Sequence, residues 1–478
     1  MGACSDSPSD ITGAPGARFL TRLQQDTIGE AAGKRLEIEY RDAEGKVVPN
    51  AEVEFVAPGL GLALARDRNP QSATAFALKV TTDTRGRASV YVVPGCMAAA
   101  FVIAVRSVGV PDSSVFEVLP GAATKLYGAP ADTAVRVGRT GKLRAAAVDR
   151  CGNARNITAS FNPVSPELRV ETNGSITGLR VGRARVELTA GALRDSTFVS
   201  VVPEGRIATL LAGREPYEFV AFDLDGGNVT QLASGYPLDR LHGPAMSWSH
   251  DGSAVAISGW NFGSPTTFVR RGNSAFEWLV PEPLSPNLQG PVFSPDGASV
   301  YTYHAHEAAL YRTHLATRSL DTLITNPVEH YRSPTISPDG RRLAYLSAID
   351  RCCSDPSQMR VLDLTSGAVR SFEVNRATVV RWSPIGDQLA FVEDYEVKLS
   401  APDGTGKRTI SSSGVKYHSF ALGWPTALAW SSDGKWLLVQ AWPNYGKMRL
   451  DLIEIATGLT LPLGFTSEMI ALAATWLQ

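Results

Sequence analysis

Apolar and polar positions alternate with a period of two along most of this chain, and turn residues break the alternation at short intervals. Leu36-Glu37-Ile38-Glu39-Tyr40 and Ala51-Glu52-Val53-Glu54-Phe55-Val56 place every second side chain on one face, with Asp42-Ala43-Glu44-Gly45 turning between them. Further strands are predicted over Ser89 to Val93 and Phe101 to Arg106. Another group follows at Leu143 to Asp149, Ala184 to Leu188 and Asp195 to Val202. No stretch carries a sustained 3.6-residue period, so the pattern predicts an all-β chain.

In the second half the alternation is punctuated by a recurring phrase. It reads Trp248-Ser249-His250-Asp251-Gly252, Phe293-Ser294-Pro295-Asp296-Gly297, Ile336-Ser337-Pro338-Asp339-Gly340, Trp382-Ser383-Pro384-Ile385-Gly386 and Trp430-Ser431-Ser432-Asp433-Gly434. The copies start 45, 43, 46 and 48 residues apart, a period that suits one four-stranded propeller blade. Proline presets φ and glycine accepts a positive φ, so each phrase ends one strand, turns, and releases an apolar strand such as Leu343-Ala344-Tyr345-Leu346 or Leu389-Ala390-Phe391-Val392. Residues 206 to 233 supply outer strands with no inner strand before them, and residues 471 to 477 supply one inner strand ending at Trp476. Joined, they complete a sixth blade and close the ring.

These repeats resemble the TolB-like six-bladed propellers of bacterial envelope proteins and of the non-catalytic domain of prolyl-oligopeptidase-type enzymes. The resemblance covers about residues 206 to 478 and speaks to fold more than to activity. Upstream, Val48-Pro49-Asn50-Ala51-Glu52-Val53-Glu54-Phe55 and Thr82-Asp83-Thr84-Arg85-Gly86-Arg87-Ala88 resemble the group 1, invasin-type bacterial immunoglobulin-like module. Asn173-Gly174-Ser175-Ile176-Thr177-Gly178-Leu179 and the strands after it resemble the group 2 module, whose members serve as spacers or adhesion units. The expected organisation is a leader over 1–32, immunoglobulin-like β-sandwiches over 33–120 and 121–203, and a six-bladed β-propeller over 204–478 closed by the C-terminal strand.

Composition narrows the class. Charged residues make up 19% and the net charge is -1, which leaves no basic footprint for nucleic acid. No run of about 18 apolar residues is present to span a bilayer. Gly2-Ala3-Cys4, followed by the polar Ser5 to Asp10 segment, resembles the end of a bacterial lipoprotein signal, although the charged and apolar regions that should precede it are missing. That resemblance implies an acylated Cys4 holding the chain at a membrane surface, in the periplasm or at the cell surface; a bland disordered leader is the alternative. Cys96, Cys151, Cys352 and Cys353 then form an even set, in which Cys96 and Cys151 could bridge successive domains and Cys352 and Cys353 could form a vicinal pair.

A search for chemistry returns little. There is no Gly-x-Ser-x-Gly elbow, no glycine-rich phosphate loop and no CxxC pair, and His306-Glu307-Ala308-Ala309-Leu310 has Leu where a zinc-binding helix would need a second histidine. The expectation is therefore a non-enzyme without cofactor or metal. On the propeller face opposite the Ser-Pro-Asp-Gly turns, the connecting loops gather Trp260, Phe262, His304, His306, Tyr331, Tyr395, Tyr417, Trp424, Trp442 and Tyr445. Two readings of that concentration stand side by side: packing between blades, or a protein-contact patch, since Tyr and Trp are enriched in interface cores. The repeat tryptophans Trp248, Trp382, Trp430 and Trp476 are expected in the core. The functional expectation is an exported scaffold or extrinsic subunit that binds an envelope or membrane protein complex. A glycan- or peptide-binding adhesion protein is the alternative, and a lyase or glycosidase at the propeller mouth stands last.

Overall fold

The computed structural model describes every residue except 1–14, 21–24, 28–33, 60, 69–73, 110, 130–132, 213–217, 234–239, 262–263, 273, 281–286, 305–307, 327, 349–357, 413, 418–426, 444–448, 464–469 and 478. The described residues form strands, turns and bends and contain no helix. They divide into two compact units, one of Met1–Ala129, Arg144–Ser160 and Leu188–Ser196, the other of Pro130–Leu143, Phe161–Glu187 and Thr197–Gln478.

The first unit is built around two sheets. One runs in the order Gly16–Phe19, Lys34–Arg41, Arg87–Pro94, Leu62–Ala65, the other in the order Gln25–Thr27, Asp112–Leu119, Ala100–Arg106, Glu52–Val56, Ala77–Thr81. Period-two alternation along both sheets supplies the core, including Leu36, Ile38, Phe55, Val90, Val92, Ile103 and Phe116, all fully buried. The sequence reading left residues 1–32 out of this body, yet Gly16–Phe19 pairs antiparallel with Lys34–Arg41 and Gln25–Thr27 pairs parallel with Asp112–Leu119. Segments of four and three residues are too short to show an alternation, which is why pattern alone passes over them. Cys96 and Cys151 are joined by a disulfide, and the Asn153 amide bridges the same loops, donating to the Cys96 carbonyl at 3.0 Å and accepting from the Ala98 N–H at 3.0 Å.

The second unit contains a small sheet of Thr140–Lys142, Ser175–Gly178 and Leu168–Val170, followed by a β-propeller. Among the described residues, six antiparallel sheets follow one another in the propeller. In the first, Thr230–Ala233, Glu218–Asp223 and Arg206–Ala212 are followed by Ile470–Leu477, so the innermost strand comes from the far end of the chain. In the next four, strands follow chain order outward from Arg240–Trp248, Leu288–Phe293, His330–Ile336 and Val379–Trp382. The last sheet runs outward from Leu428–Trp430. Each of these innermost strands neighbours the innermost strand of the next sheet, and Ile470–Leu477 neighbours both Leu428–Trp430 and Arg240–Trp248, so the cycle has no end. A closed cycle leaves only the short outermost strand of each sheet with an unpaired edge.

The repeated phrase is the joint that makes each sheet. Ser Oγ donates to the Asp carboxylate at 2.6 Å in Ser249–Asp251, 2.5 Å in Ser294–Asp296 and Ser337–Asp339, and 2.7 Å in Ser431–Asp433. The same Oγ accepts the N–H five residues on, at 2.9 Å in all four. Gly252, Gly297, Gly340 and Gly434 take φ between 68° and 71°, the left-handed conformation that a Cβ disfavours. The fourth copy departs: Ile385 replaces the aspartate and its side chain packs on the neighbouring turn, where a Cβ added at Gly434 would meet it at 2.4 Å.

Candidate functional site

Five of the six innermost strands end at the repeat turns, and there, together with the Trp476 end of the sixth, they surround a cavity of about 420 Å³. Its wall includes Met246, Trp248, Val292, Phe293, Ile336, Trp382, Trp430 and Trp476, with Ser and Pro residues of the turns at the rim. The repeat tryptophans therefore do two things. Trp382, Trp430 and Trp476 are more than nine-tenths buried between neighbouring sheets, and the same rings line the cavity.

Hydrogen bonds lock the inner strands across the sheet boundaries. The Trp382 N–H donates to Thr335 Oγ1 at 2.9 Å, the Val380 N–H to Ser333 Oγ at 3.0 Å, and the Trp430 indole N–H to the Arg381 carbonyl at 3.1 Å. Ser333 holds φ at 52°, a conformation rare for residues other than glycine, where its strand bulges. From there its hydroxyl meets the Arg381 guanidinium at 2.9 Å, while the same Nη1 donates to the Val380 carbonyl at 2.8 Å. Among the described residues of the cavity wall, Arg381 is the only cation of fixed charge, His250 is the other titratable group, and none is a carboxylate. Burial pulls the Arg381 guanidinium down to about 10, the direction expected when a charge is desolvated without a counter-ion.

Three indole donors share that isolation. Nε1 of Trp248, Trp382 and Trp476 is buried and has no hydrogen-bond acceptor among the described residues. Deeper along the same ring of strands, Arg332 stands near Tyr303, whose hydroxyl donates to Gln289 at 2.8 Å. Burial pushes the Tyr303 hydroxyl up, and the Arg332 charge pulls the other way.

At the opposite ends of the blades the expected aromatic face is only partly described. Phe262, His306, Trp424 and Tyr445 lie outside the described residues, as do Cys4, Cys352 and Cys353, and Trp260 is described as strand backbone only. His304, Tyr331 and Tyr417 are buried inside the blades, with Tyr331 edge-on to Tyr345 at 5.2 Å between ring centroids. His304 and Tyr331 are turned inward on their strands, and Tyr417 is buried just beyond Val415–Lys416. Tyr395 and Trp442 remain half-exposed.

Lys416 relates to both of those residues. Asp394 and Tyr395 take φ of 49° and 66° in a two-residue hairpin that closes the Glu393↔Glu396 pair, the geometry of a type I′ turn. The turn lifts the Tyr395 ring between two cations, Arg376 at 5.2 Å and Lys416 at 5.2 Å from its centroid, and Arg376 also donates to the Tyr395 hydroxyl at 2.8 Å. Lys416 is the cross-strand partner of Trp442. The sequence reading listed the two aromatics but passed over the two cations between which one of them sits.

It also missed the cavity at the turn end. The available signal was Arg381, a charged residue in the apolar inner strand Val379-Val380-Arg381-Trp382, one position before a repeat tryptophan.

No family model matches the sequence, and no curated protein matches it. Among solved structures the chain is similar to TolB from Acinetobacter baumannii at 17% identity, over 67% of this chain and 83% of that one, with a TM-score of 0.44. It is similar to a putative TolB from Agrobacterium tumefaciens at 15% identity, over 54% and 88%, with a TM-score of 0.39. A puromycin-hydrolyzing peptidase from Mycobacterium tuberculosis is similar at 17% identity, over 67% of this chain and 48% of that one, with a TM-score of 0.41.

Proposed function

We propose that this chain is a non-enzymatic, exported interaction protein that docks through its propeller onto a protein complex of the bacterial envelope. In this reading residues 33–120 and 121–203 are immunoglobulin-like spacers, the propeller has six blades, and acylation of Cys4 tethers the chain at the membrane. The observation that carries the reading is the set of half-exposed Tyr395 and Trp442 with the exposed cations Arg376 and Lys416. Tyr, Trp and Arg are the residues that dominate interface energetics, because they bury large rigid areas and bring a polar end with them. The Cys96–Cys151 disulfide supports an oxidising compartment, where such bonds persist.

The test is to solubilise source membranes in mild detergent, purify through a C-terminal tag, and identify proteins that co-elute at constant ratio. A stoichiometric envelope complex is expected with the wild-type chain. Tyr395→Ala combined with Trp442→Ala should weaken that association by about tenfold or more, each truncated anchor costing over ~1 kcal/mol. Elution of the wild-type chain alone would remove the docking reading.

A further inference from the structure

The cavity at the repeat turns stands at the opposite ends of the blades from Tyr395, and what it could take does not depend on the docking reading. It combines a fixed positive charge, donors without acceptors, and apolar walls. Two of the guanidinium's contacts, to Ser333 Oγ and to the Val380 carbonyl, both use Nη1, which leaves the Nε and Nη2 edge without a partner among the described residues. That edge is the fork that accepts a carboxylate in two parallel hydrogen bonds. Trp382 and Trp476, 5% and 8% exposed, add buried indole N–H groups with no acceptor in the same wall.

A partly buried cation and several buried donors are costly when left unpaired. The protein fixes this arrangement all the same: Ser333 is held in a strained backbone conformation, and from there it positions both the next strand and Arg381. We infer that the cavity binds an organic carboxylate, with the charged group on Arg381 and an apolar body against the tryptophan-lined wall. The balance of charge decides against a phosphate. One guanidinium and one imidazole stand there without a glycine-rich loop or helix N-terminus, and the rest of the wall is aromatic and aliphatic, so a singly charged head with an apolar body is the better complement. The size of the cavity falls within the range of small-ligand sites, and four tryptophans in its wall give a direct signal of occupancy.

Such a carboxylate could be a free organic acid or the C-terminus of a polypeptide, and one experiment separates them. The intact chain is titrated with 4-phenylbutyrate, with the tetrapeptide Ala-Ala-Leu-Phe bearing a free C-terminal carboxylate, with its C-terminal amide, and with inorganic sulfate. Tryptophan fluorescence and calorimetry are followed together. Saturable binding of phenylbutyrate or the peptide acid, at least about tenfold tighter than the amide and sulfate, is expected; preference between the two acids identifies the source. Arg381→Met should weaken that binding by about tenfold or more, and the probe should raise the Tm of the wild type but not of the variant. Should Arg381→Met fail to fold, Trp382→Phe removes one donor while keeping an aromatic ring, and a measurable loss of affinity is expected there too. Absence of saturable binding by both acids, equal binding of acid and amide, preference for sulfate, or unchanged affinity in the variants would overturn the inference.

Discussion

A single serine in four of the five repeat turns does the work of two residues, donating to the aspartate and accepting the N–H of the strand that leaves the turn. Ser337 is fully buried, so Ser337→Ala strands the Arg342 N–H and should cost about 1–2 kcal/mol, measured by chemical denaturation. The aspartates respond to pH. The Ser249 hydroxyl and the Ser253 N–H hold Asp251 down to about 2, and the Ser294 and Ser337 hydroxyls are the largest causes lowering Asp296 and Asp339. A carboxylate more acidic in the folded than in the unfolded chain stabilises above the unfolded value near 4 and loses that contribution as pH falls through the folded value. Tm should therefore drop between about pH 4 and pH 2, and Asp251→Asn should flatten part of that drop. A Tm profile with the same acid slope in both proteins would count against this.

Ion pairs within and between elements differ in worth according to burial. Arg342 reaches Asp387 of the next sheet at 2.9 Å and lies over the Trp382 ring at 5.0 Å, but Asp387 is largely exposed and Arg342 partly so, and Arg342→Ala should cost about 1 kcal/mol or less. Arg136 is different: it meets Asp223 at 2.8 Å and Asp225 at 3.0 Å, and both acids are mostly shielded from solvent. Arg136→Ala leaves Asp223 with Arg206 at 3.3 Å and the Asn228 amide, and should cost about 3 kcal/mol. Denaturation midpoints of the two variants test the ranking. This scale also shows what pattern could reveal. The repeat turns were legible because their chemistry is local, with the serine, aspartate and glycine contained in one short phrase. The cavity was not, because it exists only where six strands distant in sequence converge, and its tryptophans satisfy the same alternation as any core residue. The short strands Gly16–Phe19 and Gln25–Thr27 escaped for the complementary reason, being held by register with longer neighbours rather than by a pattern of their own.

At the scale of the whole molecule, two long-range closures matter. The Cys96–Cys151 disulfide spans a separation of 55 residues, and removing it by Cys96→Ser with Cys151→Ser should cost on the order of 4 kcal/mol through the unfolded chain's gain in freedom, read as a lower Tm of the first unit. The other closure is the pairing of Arg206–Ala212 with Ile470–Leu477, which sets Ile207 opposite Trp476. A growing polypeptide emerges from its N-terminal side, so the first propeller sheet must wait with one flank open while the remaining five are synthesised. Contacts of such long sequence separation form late and slowly, and an unpaired strand edge is the surface on which neighbouring chains join. The eight-residue strand Ile470–Leu477 thus acts as a timer: the ring cannot close until this strand has been synthesised, and crowding or delay before that moment favours aggregation over closure.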